Sequence, residues 1–165
     1  MREEISFANA HPNAQKLMRD DFYYSVIDQI APFGDDDSWE TFRAFREWLP
    51  NNNDRDKLEF IYGQLSYWEY PSFDLSITEF DEVNNYLELS PMHDRYLYGS
   101  GEAVIATAFG QLYIEGRIDI NIKNFAIAAI KRQTLPEMIA MYSQQQKDEI
   151  VEKYNKLLSV LLQES

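Results

Sequence analysis

The longest apolar run in the chain, Ala103 to Ile114, is interrupted only by Thr107, Gly110 and Gln111. It is too short to cross a bilayer, which takes about 20 apolar residues. It also has no polar face to give to water, so the rest of the chain must enclose it. The spacing predicts a helix over 101–115 at the centre of a helical bundle. Ala103, Ala106, Thr107 and Gly110 are small enough for close helix approach. Gly116 is placed to end the helix in the left-handed conformation that glycine tolerates. Gly99-Ser100-Gly101 ahead of it reads as a plain turn, because Glu102 in the first helical turn opposes anion binding there.

The surrounding segments carry their own helical periods. Met18, Phe22, Val26 and Ile30 recur every four residues and predict a helix over 14–30, stopped by Ala31-Pro32. Ser38 is a natural N-cap for a helix over 39–49, with the acids Asp35 to Asp37 complementing its dipole. Leu58, Ile61, Leu65 and Trp68 predict a helix over 54–68, ended by Pro71. Phe73, Leu75 and Ile77 then alternate with polar residues, which allows a short extended piece at 73–77. A helix over 79–89 follows. Ile122, Phe125, Ala129 and Ile130 predict one over 120–133, with Lys131 and Arg132 set against the C-terminal dipole. Thr134 to Glu137 reads as a capping box for a short helix over 135–142. Ser143 and Gln146 form another, opening a helix over 144–163 with the stripe Ile150, Tyr154, Leu157 and Leu161. The expectation is an all-α fold, an irregular multi-helix bundle of seven or eight helices in a single domain over 1–165.

Charge divides the chain. Residues 1–100 hold 20 acids and 8 bases, whereas 101–165 hold 8 acids and 7 bases. The acidic N-terminal half is the face to present to a partner, and the near-neutral C-terminal half is the core-forming one. Such a field repels nucleic acid and anionic membrane and attracts a basic protein. Arg43 and Arg46 make no nucleic-acid surface, because Glu40 and Glu47 share their helix. The absence of cysteine excludes thiolate catalysis, cysteine zinc sites and disulfides, and fits a reducing bacterial cytosol. Met1-Arg2-Glu3-Glu4 has no apolar run, so it is not a signal peptide and a cytoplasmic location is expected.

No nucleophile elbow, phosphate loop, dinucleotide fingerprint or zinc helix occurs. Asp35, Asp36 and Asp37 are consecutive, point in different directions and lack the order of a calcium loop, so no metal and no cofactor are expected. A protein-binding domain fits best: Asp35, Asp36, Asp37 and Glu40 supply on-rate and specificity around the aromatic anchors Trp39 and Trp48. In general character this is an immunity-type protein neutralising a basic toxin or other cationic partner. A second reading places a small-ligand or enzymatic pocket at His93, Asp94, Arg95 and Tyr96. A third is a homo-oligomeric adaptor that dimerises through 144–163.

Overall fold

Side-chain caps set where four of the helices begin. In the computed structural model, which describes residues 5–165, His11 Nδ1 accepts the Asn13 N–H at 3.0 Å and opens α1 (Pro12–Leu17), with Pro12 in the tolerant first position. Asp35 accepts the Ser38 N–H at 2.8 Å and opens α2 (Asp36–Trp48). Asp56 accepts the Leu58 N–H at 2.9 Å and opens α3 (Lys57–Tyr67). Ser143 and Gln146 exchange hydrogen bonds and open α7 (Gln144–Gln163). Between them lie α4 (Phe80–Leu87), α5 (His93–Glu115) and α6 (Ile120–Gln133). Two single 3-10 turns occur at Asp21–Tyr24 and Leu49–Asn51. Among the described residues the fold is all-α, with seven helices and no strand. No helix among them is long and apolar enough to cross a membrane.

The central helix is α5, buried without a break from Gly99 to Tyr113. Its most extensive neighbours are α2 on one side and α6 on another, with α1, α3 and α4 closing around it. The main core joins Phe33, Phe42 and Phe45 to Ile61, Phe109, Leu112 and Ile122. The α7 stripe buries Tyr154, Leu157, Val160 and Leu161 in that same core. Each side chain of this size contributes about 1.5–3 kcal/mol on burial. A smaller cluster of Ile77, Val83 and Leu97 lies beside it, under Phe73 and Tyr86.

Several sequence expectations give way. The helix expected over 14–30 is α1, one 3-10 turn and a run of bends. Ser25 Oγ accepts the N–H groups of Ile27 and Asp28, and Asp28 Oδ1 accepts that of Ile30. These local bonds replace the helical ladder, and Ile27 is left 82% exposed. The cap of α2 is Asp35, three residues before the expected cap Ser38. No strand forms at 73–77, where Asp74 Oδ1 closes a turn on the N–H of Ser76 at 3.0 Å. The segment 135–142 makes successive turns and buries only Ile139, too little apolar surface to hold a helix. Gly99-Ser100-Gly101 is no turn at all. It lies inside α5, which starts at His93. Gly99 lets Tyr70 approach so closely that an added Cβ would sit 2.6 Å from its hydroxyl, and Gly101 faces the Ala129 methyl. That packing outweighs a propensity cost of about 1 kcal/mol per glycine. Helices α6 and α7 match their expected bounds, and Gly116 ends α5 with φ +76°.

Candidate binding groove

Three chain segments meet where the N-termini of α2 and α5 approach the C-terminus of α3. Asp37, in the first turn of α2, pairs with Arg95 of α5 at 2.7 Å. That hydrogen bond holds the Arg95 guanidinium above its ordinary pKa. One turn along α2, Glu40 accepts a hydrogen bond from the Trp68 indole at 3.3 Å. Trp68 caps α3, and the chain then reverses through Glu69, whose φ of 62° is left-handed. The Glu69 and Tyr70 N–H groups return to the carbonyls of Ser66 (2.9 Å) and Leu65 (3.0 Å). A non-glycine residue in this conformation costs about 1 kcal/mol. The reversal lays Tyr70 across Gly99 of α5.

From there the rings form a continuous series. Trp68 and Tyr70 lie 5.5 Å apart between centroids, Tyr70 and Tyr96 5.0 Å, and Tyr96 and His93 5.2 Å. His93 meets Tyr86 at 4.6 Å, and Tyr86 meets Phe73 at 4.5 Å. The far end is held by Arg132, which is fully buried. Its Nη1 donates to the carbonyls of Leu75 (2.8 Å) and Ile77 (3.0 Å), and its guanidinium covers the Phe73 ring at 5.0 Å. Burial lowers its pKa to about 10. Arg132 lies in the last turn of α6, as its sequence position indicated, and from there its side chain also positions the loop that walls the groove.

Two cavities open along this face. One, of about 470 Å³, is bounded by Asp37, Glu40, Trp68, Met92, Arg95 and Tyr96. The other, of about 800 Å³, is bounded by Tyr62, Leu65, Pro71, Phe73 and Asp74. Glu69 and Tyr70 line both. The hydroxyl and N–H of Ser76 hold the exposed Asp74 carboxyl below its ordinary pKa, so it stays ionised. Burial pushes the Tyr70 hydroxyl up, with Arg95 opposing and Asp37 reinforcing the shift. Among the described residues Glu40 and Glu69 have no ion-pair partner, and Asp74 feels the charge of the buried Arg132 without forming an ion pair with it. Aromatic faces beside unneutralised carboxylates favour a cation, because ring quadrupoles and carboxylates attract it together. Among the described residues no three His, Asp or Glu side chains converge as metal ligands.

The groove unites residues from two separate sequence readings. Asp37 and Glu40 come from the partner-binding set, and Arg95 and Tyr96 from the alternative pocket. Of the others, His93 continues the ring series behind Tyr96, and the rest are placed elsewhere. Asp35 is buried beneath α2, and Asp36 is exposed in its first turn. Trp39 packs on Phe42 at 6.2 Å. Trp48 packs on Phe45 and Phe60, about 16 Å along the helix from Asp37. Asp94 is exposed. His93 Nδ1 lies 2.5 Å from the Ser90 hydroxyl, and its ring is wedged between two tyrosines. Trp68 was read from sequence only as part of the α3 stripe, and Glu69 and Tyr70 were not singled out, although the aromatic-acid run before Pro71 was there to be seen.

Below the groove, Glu102 of α5 accepts a hydrogen bond from Ser38 Oγ and meets the Asp35 carboxyl and the Tyr98 hydroxyl. Burial first, then the charge and hydrogen bond of Asp35, raises its pKa well above the ordinary value. The same burial, with the Glu102 charge, pushes Tyr98 and Tyr154 up.

No protein-family model matches the chain, and no solved structure matches it. The chain is similar to the uncharacterized protein YfeS of Escherichia coli (strain K12), at 28% identity over 156 residues. The match covers 92% of this chain and 62% of YfeS, so the chain spans somewhat under two thirds of that relative's length.

Proposed function

We propose that this chain is a binding domain that captures a cationic segment of a partner protein in the groove between α2, α3 and α5. The observation that carries this reading is the series Trp68, Tyr70 and Tyr96 flanked by Glu40 and Glu69, which form no ion pair among the described residues. In its narrower form the partner is a basic toxin and the chain an immunity-type protein. The acidic field of the N-terminal half speeds encounter, and the rings supply contact area.

Titration with an arginine-rich peptide, followed by tryptophan fluorescence, tests the reading, because Trp68 reports from the groove. Saturable binding is expected at low ionic strength. It weakens as salt shortens the screening length from about 10 Å at 0.1 M to about 3 Å at 1 M. Glu40→Gln weakens it further. Absence of saturable binding at low salt, or equal binding of an acidic control peptide, overturns the proposal.

A further inference from the structure

We infer that the captured segment is extended and dibasic, with one cationic side chain in each cavity and its backbone crossing between them at Glu69. This rests on the cationic-partner reading above and adds the form of the ligand. Each cavity carries its own carboxylate beside its own ring: Glu40 with Trp68 in one, Asp74 with Phe73 in the other. The dividing wall is Glu69 and Tyr70, common to both. Asp37 is already neutralised by Arg95. Glu40, Glu69 and Asp74 therefore remain along the two cavities without an ion pair among the described residues, Asp74 meeting only the longer-range charge of the buried Arg132, and a single cation would leave one cavity's acid without an ion pair.

The conformation of Glu69 fits this role. The reversal after α3 would form at lower conformational cost with glycine at this left-handed position. The side chain is therefore not there for the turn; what it adds is a carboxylate on the divide. In an extended segment alternate residues face the same side, at about 3.3 Å of rise per residue. Two basic residues separated by one or three others therefore both face the groove, whereas adjacent ones do not.

The test uses the full chain and Gly/Ser peptides carrying one arginine, two adjacent arginines, or two at i,i+2 and i,i+4. One of the evenly spaced peptides is expected to bind at least about 10-fold tighter than the single-arginine peptide, through the high effective concentration of the second anchor. Glu40→Gln and Asp74→Asn should each return that peptide to single-arginine affinity. Glu69→Gly should weaken every arginine peptide while raising the melting temperature, which separates lost binding from lost folding. Even-spaced peptides within about twofold of the single-arginine peptide, the statistical factor for two equivalent cations, overturn the dibasic proposal alone. No binding by any of the peptides overturns the cationic-partner reading beneath it.

Discussion

Glu102→Gln isolates the carboxyl that this fold buries inside its central helix. The side chain is 6% exposed, takes a hydrogen bond from Ser38, and touches the Asp35 carboxyl and the Tyr98 hydroxyl. Burial and Asp35 hold its pKa well above the ordinary 4.5. The folded protein therefore keeps a proton that the unfolded chain releases. The stabilisation is complete below pH 4.5 and is lost as pH rises toward the folded pKa. Each pH unit within that window lowers stability by about 1.4 kcal/mol. Glutamine copies the protonated acid: its carbonyl accepts from Ser38, and its amide N–H donates to Asp35. It never releases a proton. Urea denaturation from pH 5 to 8, read by circular dichroism with m held in common, compares the two proteins. The variant is expected within about 1 kcal/mol of the parent at pH 5 and to gain on it as pH rises, by at most about 1.4 kcal/mol per pH unit. Other titrating groups move both curves alike. Parallel curves, or a variant less stable at pH 7, refute the assignment of the proton to Glu102.

Gly99→Ala sets a helix-propensity gain of about 1 kcal/mol against contact with Tyr70. The first atom met is the hydroxyl at the far end of that side chain, 2.6 Å away. Overall stability should change by less than about 1 kcal/mol, while the Tyr70 ring leaves Tyr96. Ring-proton chemical shifts and the affinity for an arginine peptide report this, and an unmoved ring contradicts it. Arg132→Met keeps the buried stem but strips the Leu75 and Ile77 carbonyls of their donor. The cost should be on the order of 3 kcal/mol, with faster amide exchange across 73–78; stability within about 1 kcal/mol of the parent argues against it.

The sequence by itself determined α6, α7 and the central position of α5. An apolar stripe, a capping box and an all-round apolar run are interactions within a few residues, so their signal is complete in the local sequence. The same locality misled at 14–30, where the four-residue period is real but the hydroxyl of Ser25 and the carboxylate of Asp28 bond the backbone into turns first. Only the tertiary structure decided that Gly99-Ser100-Gly101 is helix, because the reason lies in Tyr70 and Ala129, each about 30 residues away along the chain. It likewise decided that Asp35 and Glu102 share one buried site and that Arg132 supports the loop at 73–77. The groove itself was legible in halves. Asp37 with Glu40 and Arg95 with Tyr96 were visible as separate clusters, but nothing local in the sequence joins them. The 2.7 Å pair between Asp37 and Arg95 does so, because the packing of α2 on α5 brings together charges that the chain keeps far apart.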